Sequence, residues 1–223
     1  MVMEQASSFN GKAIPHICSY LPDNTPPIEV TVCFVAYIEP GAFARQGKII
    51  MNLAHSTWGN KDVGLLLNIL VHELYHGGFH HHQESIDADP SMSKEKLLEH
   101  IMWWLQNEGI ATYVSYKAQH LFPIKKDVPD YRMLENMPDV IRLSQNVNTI
   151  LAQCNKEPYD KVIEMLWGKG VQERGFYVVG AYMSKKIEEE KGRGALIETI
   201  GKGARHFIQT YNDLSTNDFK IIL

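Results

Sequence analysis

Two observations predict an α+β fold, with a small sheet at the N-terminal end and helices after it. A run rich in Val, Ile, Phe and Tyr, from Ile28 to Ile38, reads as a strand near the start of the chain. From about residue 60 onward, apolar residues recur at helical spacing almost to the end. The 223 residues fit one domain, with a β-containing part over about 1–60 and a helical part over about 61–223. Apolar side chains make up 44 %, enough for a sizeable core.

Residues 1–27 are polar and contain proline, ending in Thr25-Pro26-Pro27. Pro40-Gly41 ends the strand at 28–38. Lys48 to Leu53 reads as a second, short strand, able to pair with the first across the loop 39–47. Asn60 is a candidate N-cap and Asp62 suits a first helical turn. Leu66, Ile69, Leu70 and Leu74 form the apolar stripe of that helix, and Gly77-Gly78 is expected to end it. A His-rich loop leads to Asp89-Pro90, expected to open a helix running to about Ala118, with Leu98, Ile101, Met102 and Leu105 on one face. Pro123, Pro129 and Pro138 mark a loop region, and helices are expected at 139–153, 158–167, 173–191, 194–201 and 203–212.

Composition narrows the function classes. The 22 basic and 26 acidic side chains are mixed along the chain, so no basic stripe offers itself to nucleic acid. No run of 18 apolar residues predicts a membrane span. Met1-Val2-Met3-Glu4 lacks the basic and apolar regions of a signal peptide, so a cytoplasmic location is expected; a chain cut after a signal peptide would look the same. Cys18, Cys33 and Cys154 are too few and too scattered for a disulfide framework or a thiolate metal site.

The chemistry concentrates in His72-Glu73-Leu74-Tyr75-His76. Two His four apart on a helix project from one face, one turn apart, and can both reach one zinc ion. Glu73 lies beside the first of them, where a carboxylate can act as general base toward a water activated by the metal. The run Leu65 to Val71 before the motif is too apolar for a solvent-facing helix, which argues against a chance surface cluster. A catalytic zinc needs a third protein ligand. Glu108 shares a stripe with Leu98, Ile101, Leu105 and Thr112, and a carboxylate among apolar neighbours calls for a partner such as a metal. The bland alternative places Glu108 at the edge of the stripe, in water. Gly109 and Ala111 are small enough to let another helix approach.

His72-Glu73-x-x-His76 followed by Glu108-Gly109-x-Ala111 resembles the gluzincin metallopeptidases. The stretch from Gly175 to Tyr182 also resembles a YxxG helix of bacterial members of that group. The likeness extends loosely over 48–212. It implies a zincin-like fold with an edge strand along a cleft, one catalytic zinc held by His72, His76 and Glu108, Glu73 as general base, and a peptide or protein substrate. It also implies an oxyanion donor from the helical part: Tyr177 first, with Tyr182 and His206 as alternatives. Any of these can equally be an ordinary half-buried side chain. Glu84, Asp87 and Asp89 are candidates to orient the metal-binding His side chains. Lys48 to Leu53 is the expected peptide-binding edge, with Asn52 and His55 near its end. The metzincin pattern HExxHxxGxxH offers a rival third ligand in His82, although Phe79 stands where that pattern has Gly. A zinc-binding module without catalysis is the other alternative.

Overall fold

The computed structural model describes residues 6–36, 41–45, 48–54, 62–84, 88–216 and 219–223. The chain divides into two compact units. One comprises Met1–His82 with Val114–Asp127, the other Gln83–Tyr113 with Val128–Leu223. None of the described helices is long and apolar enough to cross a membrane.

The first unit holds helix α1 (Ala6–Cys18), strands β1 (Thr31–Val35), β2 (Ala42–Arg45) and β3 (Lys48–Asn52), and helix α2 (Val63–Phe79). The two expected strands pair, but in parallel, with Thr31 opposite Lys48 and Val35 opposite Asn52. Two parallel neighbours cannot be joined by a tight hairpin. Within the expected loop, β2 supplies the extra pass: it runs antiparallel to β3, giving the order β1-β3-β2. Paired on both sides, β3 is the central strand and not the peptide-binding edge expected of Lys48 to Leu53; it buries Ile49 and Met51 on one face, the period-2 pattern of a sheet packed on a core.

The N-terminal stretch is helical despite its polarity and despite Pro15 inside α1. Phe9, Ala13 and Ile17, four residues apart, form its buried stripe, and the Phe9 ring stacks on Phe122 at 5.3 Å.

The N-cap of α2 is Asp62, with Asn60 outside the described residues. The Asp62 carboxylate accepts from Leu65 N at 3.2 Å, and its other oxygen accepts from Lys125 N at 2.9 Å and Lys126 N at 3.1 Å. Burial works against the charge on Asp62, but the hydrogen bonds from Lys125, Leu65, Lys126 and Gly64 outweigh it and hold its pKa below the ordinary 3.8. A depressed carboxylate stabilises the fold above its unfolded pKa, and the gain fades as pH falls through the folded value. Asp62→Ala is therefore expected to cost about 1–2 kcal/mol at neutral pH. Urea melts should show the gap between variant and native protein closing below the ordinary 3.8. A gap that does not change with pH would contradict the role of the charge.

Gly77-Gly78 does not stop α2, which continues to Phe79 and is closed by His80. Both glycines serve packing instead. A Cβ on Gly78 would lie 2.2 Å from Leu21 Cδ1, and one on Gly77 would touch Val30 and Ile28.

Helix α3 (Lys94–Lys117) begins later than Asp89-Pro90. Its start is marked by Ser93, whose hydroxyl accepts from Lys96 N at 3.3 Å, while Asp89 turns back to accept from Ser91 N and its hydroxyl. The second unit continues with α4 (Pro129–Glu135), α5 (Met137–Cys154), α6 (Tyr159–Met165), a π-helical stretch Leu166–Gln172, α7 (Gly175–Lys191), α8 (Arg193–Lys202) and α9 (Ala204–Asn212). Helix α4 stands where the prolines predicted a loop, because Pro129 occupies the first helical turn, where its missing N–H costs nothing. Helix α7 is the hub, packed against α4, α5, α8 and α9. It also crosses α3 backbone to backbone: a Cβ on Gly180 would lie 2.3 Å from Leu105 O and 2.6 Å from Gly109 Cα. Gly180→Ala is expected to destabilise by about 1–3 kcal/mol, overriding the better helix propensity of Ala. An unchanged urea midpoint would contradict that close crossing. The three cysteines are free thiols.

Candidate metal centre

The site grows from one polar residue in an apolar run. Asn68 is buried on α2 and donates to Ser115 O near the end of α3 at 2.6 Å. His72 and His76 follow on the same face of α2 at four-residue spacing, about 6 and 12 Å along the axis. Glu108 precedes Ser115 by seven residues, two turns and about 10 Å along α3, again on one face. The Asn68–Ser115 bond fastens the end of α3 to α2 one turn before His72. His16 steadies the same end of α3 by donating from Nε2 to Val114 O at 2.9 Å.

One ligand atom from each of His72, His76 and Glu108 lies within 4.8 Å of the others. The His72 and His76 rings stand edge to face with centroids 4.7 Å apart. His76, Glu73 and Glu108 are buried, and His72 is half-buried. Two imidazole nitrogens and one carboxylate oxygen are the donor set of a catalytic zinc site; Mg²⁺ and Ca²⁺ would call for more oxygen ligands. Ligand atoms of one tetrahedral zinc sit about 3.3 Å apart, so modest side-chain torsions suffice to close the group on an ion. The donor chemistry therefore fits zinc.

His82 lies outside this group. The Thr25 hydroxyl donates to Pro22 O at 2.5 Å, and His82 Nε2 lies 2.7 Å from the same Thr25 Oγ1, so one ring nitrogen of His82 is engaged there. Burial and the neighbouring His81 push its pKa down. Glu84 and Asp89 are exposed, and Asp89 is engaged with Ser91; Asp87 and His55 lie outside the described residues. Asn52 is buried at the end of β3 and accepts from Ala54 N at 3.1 Å.

Of the three oxyanion candidates, Tyr177 sits on α7 one turn before Gly180, the residue at which α7 meets Gly109 beside Glu108. Tyr182 faces Tyr211 of α9, with ring centroids 6.3 Å apart, and burial raises its pKa. His206 lies near Glu198 of α8. Sequence reasoning missed Arg174. Its Cζ lies 3.2 Å over the Tyr177 ring, and its guanidinium donates to Asp130 through Nε, at 3.0 and 3.1 Å, and through Nη2 at 2.7 Å. Burial opposes the charge, but Asp130, then Tyr177 and Glu108, raise its pKa above that of an ordinary arginine. Among the described residues, Arg174 alone is a non-glycine with positive φ, at 66°. That backbone costs about 1–2 kcal/mol, which the Asp130 fork and the Tyr177 contact offset. Asn68, the single polar side chain between Leu65 and Val71 and one turn before His72, was a readable signal; Arg174 had none.

No curated protein and no solved structure matches the chain. A family model does match over residues 3–219, nearly the whole sequence, and its description is "Putative zinc dependent peptidase (DUF5700)". With a His-His-Glu group able to hold a metal and a match of that extent, the chain belongs to this zinc-dependent peptidase family.

Proposed function

We propose that the protein is a zinc-dependent metallopeptidase of the gluzincin type, with a zincin-like fold, hydrolysing peptide bonds in peptide or protein substrates. The observation that carries this reading is the convergence of His72, His76 and Glu108 ligand atoms within 4.8 Å, with Glu73 adjoining the first ligand on the same helix. His72 and His76 offer ring nitrogens and Glu108 an oxygen. Bound zinc supplies Lewis-acid polarisation of the scissile carbonyl and makes a water acidic enough to lose its proton near neutral pH. Glu73 takes that proton and returns it to the leaving amine nitrogen. The Tyr177 hydroxyl donates a hydrogen bond to the carbonyl oxygen as negative charge grows on it.

The test is a fluorogenic peptide-library screen on zinc-reconstituted protein. Cleavage that a chelator abolishes and added zinc restores is the expected result. Stoichiometric zinc without cleavage of any library member would instead make the chain a zinc-binding module.

A further inference from the structure

Arg174 has two hydrogen-bonding edges, and the fold uses one. Nε and Nη2 donate to the Asp130 carboxylate at 3.0, 3.1 and 2.7 Å. The end-on edge, formed by Nη1 and the second hydrogen of Nη2, makes no hydrogen bond among the described residues. Tyr177 covers one face of the guanidinium at 3.2 Å, leaving the side chain 35 % exposed. The Tyr177 ring on which it stacks lies one turn before Gly180, which meets Gly109 beside Glu108, and the Glu108 carboxylate acts on the guanidinium charge.

A surface arginine gives up rotamer freedom when it binds an anion. Here Asp130 has already fixed the plane of the guanidinium, and the Tyr177 ring holds it from one side. The open edge presents two parallel N–H donors, a fork that matches the two oxygens of a carboxylate. A neutral carbonyl would use only one donor and gain less from the charge.

We infer that Arg174 is a substrate-binding residue whose open Nη1/Nη2 edge takes a carboxylate of the peptide, either its C-terminus or an acidic side chain. The inference rests on the metallopeptidase reading and adds a substrate class to it.

Three peptide hydroxamates of equal length test it by calorimetric titration into the zinc-loaded full chain. One ends in a free carboxylate, one in a carboxamide, and one in a carboxamide with an aspartate in the sequence. A carboxylate-bearing probe is expected to bind the native protein about 10–100-fold more tightly than the neutral probe, and which of the two does so identifies the source. Arg174→Lys keeps the charge but not the fork, and Arg174→Gln loses both. Each is expected to reduce the preference, taken as the ratio of the two affinities within one variant, to under about threefold while zinc content stays unchanged. Equal binding of all three probes by the native protein, or a preference that survives both substitutions, overturns this inference alone. A native chain that holds neither zinc nor any hydroxamate overturns the metallopeptidase reading and this inference with it.

Discussion

Replacing Glu73 with Gln is expected to reduce peptide hydrolysis by about 10²–10⁴-fold while leaving zinc content near that of the native chain. The amide has nearly the shape of the carboxylate, so the buried position on α2 stays filled. It cannot take a proton from water, so the step assigned to Glu73 is lost and the metal-binding residues are untouched. Because the proton transfer occurs in the transition state, kcat should fall with little change in KM. Zinc analysis and steady-state kinetics on one preparation check both halves of this expectation. Full activity in Glu73→Gln would remove Glu73 from the mechanism, and loss of zinc would show that its carboxylate helps hold the metal.

Glu108→Ala is expected to weaken zinc binding by more than the roughly 10–100-fold that follows loss of an outer hydrogen-bond partner, because a direct ligand disappears. Two His at helical spacing remain, so residual weak binding is expected at high zinc concentration. His82→Ala is the matched control. Its ring is hydrogen-bonded with Thr25, and the expectation is unchanged zinc affinity. Competition with a zinc-binding dye gives both affinities. Strong zinc binding in Glu108→Ala together with its loss in His82→Ala would move the third ligand to His82 and favour the metzincin-like alternative.

What could be read from the sequence follows what kind of physics fixes each element. Helices α5 to α9 show a local 3.6-residue period, and the expected ranges lie close to those observed. The stripe Phe9, Ala13, Ile17 is equally periodic, but the prolines around it masked α1. Strand β2 has only four residues, and pairing with β3 makes it a strand, which no local pattern announces. Gly77-Gly78 looked like a helix stop because glycine often is one. Whether a glycine ends a helix or admits a neighbour depends on what packs there, here Leu21, Val30 and Ile28. The site divides the same way. His72, Glu73 and His76 are a contiguous pattern, and Glu108 betrayed itself as a carboxylate on an apolar stripe. The fork between Arg174 and Asp130 joins residues 44 positions apart, a relation set by tertiary structure.

Anomalous scattering at the zinc edge from crystals of the zinc-loaded native protein tests the central claim most directly. The expected result is one strong peak about 2.0–2.2 Å from a ring nitrogen of His72, a ring nitrogen of His76 and a carboxylate oxygen of Glu108. A peak completed by His82 in place of Glu108, or no peak at His72 and His76, would contradict it.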